Sequence, residues 1–272
     1  MEISQLKERT TQLRRDILTM TNRAGNGHVG GSLSEIDILA VLYHLVMNID
    51  PQNPKWPDRD RFLLSKGHSS PGYYVTLADR GYFNKAELDN FDQTGSGLQS
   101  HPDMRKCVGV DYSTGALGQG LSVGIGMALG GAARGKCFVT FVLIGDGETQ
   151  EGQVWEALMY AGAMKVKNLV AIFDNNGVQL SSTMADNVNI NPLFPKLTDF
   201  GWLVMEVDGH DVNSLAQTLS NAREAAAAGP VAVVAQTIKG KGVSFMENQY
   251  AWHGKAPNDE ELARALAELE GN

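Results

Sequence analysis

A parallel α/β sheet flanked by helices on both faces is the fold class this sequence predicts, and three observations carry it. Short apolar runs such as FVLI (141–144), LVAIF (169–173) and VAVVA (231–235) are uncharged and β-branched, as strands buried on both faces require. They alternate with helical segments of 10–18 residues, the pattern of a parallel sheet with crossover helices. Two of the runs end in polar clusters, Gly145-Asp146-Gly147 and Asp174-Asn175-Asn176, where the loops of such a sheet meet ligands. The whole chain, 1–272, reads as one domain without internal repeat or linker.

The elements follow in order. Residues 3–22 place Leu6, Leu13, Ile17 and Met20 at helical spacing. The glycine-rich AGNGHVGGS (24–32) interrupts, and a second helix is expected after it, capped by Ser34, with Ile36, Leu39, Ala40, Tyr43 and Leu45 as its apolar face. A proline-rich loop (50–60) leads to a short strand, RFLLS (61–65), and a turn, KGHSSPG; YYVTLADRGY then reads as helix. Residues 84–112 look irregular apart from a short helix near KAELDNFDQ. The segment 115–135 reads as a helix whose Gly120, Gly124, Ala128 and Ala132 let another helix or a ligand approach one face. A strand at 138–144, a helix at 153–164, strands at 168–176 and 200–209, a helix at 212–229 stopped by Gly229-Pro230, a strand at 230–240 and a closing helix at 259–269 complete the chain.

Composition narrows the function. The formal net charge is −8, and no basic cluster escapes that average, so no nucleic-acid backbone is expected as partner. Two cysteines, Cys107 and Cys137, without a CxxC pair, argue against a disulfide framework or thiolate zinc site and fit a reducing, cytoplasmic setting. The N-terminus is charged from residue 2 and has no apolar h-region, so neither signal peptide nor membrane anchor is expected. No run of about 18 uninterrupted apolar residues offers a bilayer span.

Chemistry concentrates at the two polar strand ends. The 27 residues from Gly147 to Asp174 fit a loop, a helix and a strand, which would set the two ends side by side. Asp146 and Asn176 could then present oxygens to one hard cation. That cage is too weak to hold Mg²⁺ alone, and Mg²⁺ completes its octahedron with phosphates and waters. A metal-bridged diphosphate is the ligand this suggests, with Gly147 allowing close backbone approach and a helix starting nearby. The plainer alternative makes Asp146 only the cap of a strand-to-helix turn. Of six histidines, His28, His68, His101 and His253 adjoin glycine or proline in irregular segments, as groups gathered around one pocket would, although exposed loops remain the alternative. Neutral imidazoles suit proton traffic on sugar hydroxyls. His44 reads as packing, and His210, in DGHD, as a turn residue.

The pair GDG…NN at this spacing resembles the thiamine diphosphate signature. GDGETQEGQVWEA, FDNNGVQLSS, STGALGQGLSVGIGMA, LSKGHSSPGYY, LQSHPD, AGNGHVGGS, TIKGKGVSFMEN and WHGKAP resemble, in order and over essentially all 272 residues, segments of the transketolase family. The resemblance implies a thiamine diphosphate-binding fold. It implies metal ligation (Mg²⁺, or another divalent cation such as Ca²⁺) by Asp146, Asn176 and the carbonyl of Val178. It implies diphosphate contacts from Gly147, His68 and His253, and a loop of Gly115, Ala116 and Leu117 against the thiamine ring, with Ala116 in place of a frequent proline. His28, His68, His101 and His253 resemble the histidines around the reacting carbon. Glu151 and Glu156 resemble acids linking paired active sites. Lys239 and Lys241 lie near the site by resemblance, without a defined role.

Transketolases are usually more than twice this length, and their pyrimidine-binding domain supplies a glutamate and most sugar-phosphate-binding arginines. The resemblance therefore implies the N-terminal subunit of a split transketolase. That enzyme would move a two-carbon ketol unit from a ketose phosphate to an aldose phosphate. It would need a second copy of this chain and a C-terminal partner subunit, in an α2β2 assembly. Three rivals are weighed. A dinucleotide-binding oxidoreductase would use GQGLSVG, which follows no clean strand and lacks a ribose-binding acid about 20 residues on. A binding homologue without activity would not need the retained ligands and histidines. Another thiamine enzyme, a 2-oxo acid dehydrogenase α subunit or a pyruvate–sugar synthase, fits STGALGQG and KGHSSPGYY less well.

Overall fold

The computed structural model describes residues 2–271. Its centre is a five-stranded, wholly parallel sheet in the order β1-β2-β3-β5-β4. In chain order the elements are α1 (Ile3–Ala24), α2 (Val29–Val41, continued by a π-helical turn Leu42–Val46), β1 (Arg61–Leu64), α3 (Ser70–Arg80), α4 (Gly120–Ala133), β2 (Thr140–Gly145), α5 (Gly152–Ala163), β3 (Leu169–Asn175), α6 (Leu193–Asp199), β4 (Leu203–Asp208), α7 (Val212–Ala225), β5 (Val231–Gln236) and α8 (Asp259–Glu270). The expected parallel sheet with helices on both faces is what the chain forms.

Alternation along each strand divides the core in two. Phe141 and Leu143 of β2, with Val170 and Ile172 of β3, face a cluster built with α1, α2, α3, α7 and α8. Val142 and Ile144, with Ala171 and Phe173, face α4, α5 and α6. At roughly 1.5–3 kcal/mol for each fully buried large aliphatic or aromatic side chain, the central strands are held from both sides. The register pairs Gly145 of β2 with Asp174 of β3, so the two polar strand ends lie side by side, as their spacing implied.

Several boundaries differ from expectation. α2 begins at Val29, and Ser34 lies inside it, where its Oγ donates to Asp174 Oδ2 at 2.6 Å. Ser34 is thus a core hydrogen-bond donor and not a cap. α4 begins only at Gly120, and 115–119 form a turn with Gly115 and Gly118 at positive φ. The small residues of α4 admit the sheet: a Cβ on Gly124 would come within 2.4 Å of Val142 Cγ2, while Ala132 is exposed. α6 was not expected, because LFPKLTD is short and carries a proline. The segment Val29–Val46 is long and apolar enough to cross a membrane, yet 89% of it is buried within the protein as the helix at the centre of one face. A buried core helix meets the same length and composition test.

Candidate active site at the carboxyl ends of the strands

The strand ends open on a cavity of about 460 Å³. Asp146, Gly147, Asn176 and the backbone around Val178 line one wall; His28, His68 and His253 line another, with Gly115, Leu117 and Glu151 also at its edge. Ala116, between two lining residues, is exposed. The histidines come from four separate segments and meet: the His28 ring centroid lies 5.0 Å from His68, 5.3 Å from His253 and 6.4 Å from His101, and His68 lies 4.9 Å from His253. His44 and His210 lie elsewhere, each against an aspartate, Asp79 and Asp37 respectively.

Three of these imidazoles, His28, His68 and His253, are held neutral. Burial, then the charges of His101 and Lys239, lowers His28 to about 4. Burial, then Lys239, lowers His253 to about 3. His68 is driven well below the usual histidine range by burial and by Lys66. Each of these three rings therefore carries one donor and one acceptor nitrogen near neutral pH.

Asp146 is 2% exposed. Its carboxylate accepts from two backbone amides, Gly147 at 2.7 Å and Gly177 at 2.5 Å. Among the described residues no ion pair reaches it, and burial, then Asp174, pushes it up to about 6. A buried carboxylate without a counter-charge is costly, and a cation relieves that cost. Asn176 and Val178 line the same cavity, where Asn176 Oδ1 accepts from the Val178 amide at 3.1 Å; with the Val178 carbonyl they offer hard oxygens of the kind Mg²⁺ or Ca²⁺ takes. No cluster of three or more His, Cys, Asp or Glu suited to a metal occurs among the described residues, so phosphate and water must complete any such shell. Lys239 Nζ donates to the Val178 carbonyl at 3.0 Å and lies 2.7 Å from His253 Nδ1. Burial, then Lys66, lowers that ammonium to about 8. At Gly147 a Cβ would approach Gln179 Cβ to 3.2 Å, so a side chain here would crowd the backbone wall that a ligand approaches. The residues fit a metal-bound diphosphate.

Beneath the cavity lies a charged layer that residue spacing did not reveal. Lys66 Nζ contacts Asp174 Oδ2 at 2.5 Å and Glu35 Oε2 at 2.7 Å, with side-chain exposure of 3% for the lysine and 0% for both acids. Asp174 also accepts from Ser34, Asn176 and the Thr237 hydroxyl. Glu148 is buried: its carboxylate receives Ser65 Oγ, Gly118 N and Gly145 N. It ties the turn before α4 to the end of β2. The signal for the hidden layer was present in α2, where Glu35 and Asp37 interrupt an otherwise apolar helix. Asp146 does not cap α5, whose N-cap is Glu151.

Residues 7–270 match the transketolase thiamine diphosphate-binding domain. The chain belongs to the transketolase family. It is 42% identical over 265 residues to the 6-deoxy-6-sulfo-D-fructose transketolase subunit SqwG of a Clostridium species, covering 97% of this chain and 96% of that one. It is 38% identical over 270 residues to one subunit of the apulose-4-phosphate transketolase of Actinobacillus succinogenes, covering 99% and 97%. Against the transketolase of Rattus norvegicus it is 38% identical, covering 93% of this chain but 40% of that one. The crystal structure of Campylobacter jejuni transketolase superposes with a TM-score of 0.91 at 31% identity, over 99% of this chain and 43% of that one. This transketolase chain thus spans the two subunit relatives almost fully and about two fifths of the long transketolases. Its place is that of the N-terminal subunit of a transketolase. The dinucleotide alternative falls with this family membership, and GQGLSVG follows a turn instead of a strand.

Proposed function

We propose that this subunit binds thiamine diphosphate through a divalent cation and, with a C-terminal partner subunit, transfers a two-carbon ketol unit from a ketose phosphate to an aldose phosphate. The observation that carries the reading is the meeting of half-buried, neutral histidines with an unpaired carboxylate at one cavity of a transketolase-family fold. Asp146, Asn176 and the Val178 carbonyl would hold the metal; Gly147, His68, His253 and Lys239 would face the diphosphate. Thiamine diphosphate supplies, when bound, the carbon nucleophile that carries the transferred unit. His28 lines the cavity and the His101 ring lies 6.4 Å from the His28 ring, where imidazoles would exchange protons with a sugar's hydroxyl and carbonyl oxygens. The turn at Gly115 to Leu117 would lie against the cofactor's rings.

The assembly we propose is two copies of this chain with two of the partner, in the cytoplasm. Glu151 and Glu156 are both exposed, and Glu156 borders a groove between α4 and α5. Leu129, Met159 and Tyr160 of those two helices are exposed as well, an apolar surface that suits a second copy. The subunit-named relatives, one assigned to a sulfonated ketose and one to apulose 4-phosphate, support a split enzyme with a specialised sugar.

Calorimetry with thiamine diphosphate, with and without Mg²⁺, tests the binding half; Asp146→Ala should abolish the metal-dependent part. Undiminished affinity in that variant would overturn the metal assignment. The transfer half is tested with the partner subunit on a panel of ketoses that includes 6-deoxy-6-sulfo-D-fructose and ketose phosphates. Turnover of a 2-oxo acid instead would favour the other thiamine enzymes.

A further inference from the structure

Lys239 reaches the cavity from a segment without regular structure, between the end of β5 and α8. Such a segment is expected to move, and a lysine on it has four rotatable side-chain bonds of its own. Yet the backbone on both sides of Lys239 is fastened. One residue before it, the Ile238 amide donates to His210 Nε2 at 2.8 Å. Two residues after it, the Lys241 carbonyl accepts from Arg14 Nε at 3.1 Å. His210 and Arg14 are joined through one carboxylate. Asp37 accepts both terminal nitrogens of Arg14, at 3.1 and 2.5 Å, and lies 2.7 Å from His210 Nδ1.

The hydrogen bonds fix the tautomer. Nε2 accepts from Ile238, so the imidazole proton sits on Nδ1 and is donated to Asp37. Asp37 and Arg14 are 3% and 6% exposed. A buried ion pair contributes little net stability compared with apolar side chains of the same volume. What these residues add is direction: a rigid fork from α1 and an imidazole from the β4–α7 turn hold one short backbone segment, and a carboxylate from α2 joins the two.

We infer that Arg14, Asp37 and His210 form a clamp that positions Lys239 toward the Val178 carbonyl and His253 in the cofactor cavity. The inference deepens the thiamine diphosphate reading and rests on it. These are positioning residues: none of the three lines the cavity that Lys239 enters. The competing explanation is that they only join α1 to α2.

Two substitutions of one side chain separate these. In the full chain, His210→Gln places an acceptor oxygen where Nε2 stood and gives up the Asp37 contact. His210→Asn keeps a donor near Asp37 and removes the acceptor for Ile238. Three quantities are measured: thiamine diphosphate affinity with Mg²⁺, the melting temperature, and amide hydrogen exchange of the cofactor-free chain at Gly240 and Asn248. Those two amides donate to Gly30 O and Lys239 O and touch neither substituted atom. A clamp requires His210→Asn to weaken cofactor binding about tenfold and to speed both amides about tenfold, the worth of roughly one hydrogen bond. His210→Gln should stay within about twofold of the parent on both counts, even if it melts lower. Equal affinity and equal exchange in the two variants, or losses that follow melting temperature alone, would overturn the clamp. Absence of cofactor binding by the parent chain would refute the functional reading, and the exchange rates would still decide the clamp.

Discussion

Asp146 and Asp174 stand at the carboxyl ends of neighbouring strands, both almost wholly out of water, and they are treated in opposite ways. Asp174 meets Lys66 and the side chains of Ser34, Asn176 and Thr237. Burial works to raise it, but Lys66, Ser34 and Thr237 outweigh burial and hold it below the usual aspartate range. Asp146 meets two backbone amides and is raised. One carboxylate is part of the frame. The other is aimed by the backbone but left without a counter-charge, as a group meant for an external cation would be. Burial and residue type do not separate the two; partners do.

The largest test removes the partner that distinguishes them. Lys66→Met leaves Asp174 and Glu35 buried without their cation and should cost about 3–5 kcal/mol in chemical denaturation. A loss well under about 1 kcal/mol would mean that Asp174 does not depend on Lys66.

Asp146→Asn should act in the other direction. The folded-state pKa of about 6 lies above the ordinary 3.8, so between these values the native state binds more protons than the unfolded state. The parent chain therefore loses stability as pH rises through that window. The variant should gain on it progressively from pH 3.8 to 6 and hold a constant advantage above, on the order of 1–3 kcal/mol. Metal-dependent cofactor binding should vanish in the same variant. A variant less stable than the parent at pH 7 would break the comparison.

The histidines give an effect of the opposite pH sense. With folded-state values of about 4 for His28 and about 3 for His253 against 6.5, the unfolded chain binds more protons below pH 6.5. Melting temperature should therefore fall on acidification from pH 6.5 toward 4, and His253→Gln should flatten that decline. A decline unchanged in His253→Gln would assign it to other groups. The smallest change in stability is expected for Gly147→Ala, whose φ of −60° suits alanine and whose Cβ needs Gln179 to yield only a few tenths of an ångström. A cost within about 1 kcal/mol, together with weakened diphosphate binding, would place its glycine in service of the ligand.

How far the site was legible follows from the range of each interaction. His28, His68, His101 and His253 could be grouped beforehand because each lies in a glycine- or proline-marked segment, and the structure brings their rings within 4.9–6.4 Å of a neighbour. The Asp146–Asn176 juxtaposition was legible because one crossover separates two strands that pair directly. The role of Glu148 was not legible, because an acid two residues past Asp146 looks like one more charge, and only the approach of Ser65 and Gly118 shows it turned inward.

The sequence by itself determined the strand and helix order, the parallel sheet and the strand ends that carry chemistry, because these rest on periodicity and on residues close along the chain. Only the tertiary structure decided which buried acid is paired, that Ser34 serves Asp174 140 residues away, and that Arg14 reaches Lys241 across 227 residues. A carboxylate's energy depends on which donors and cations surround it, and a one-dimensional pattern does not specify contacts between segments so far apart.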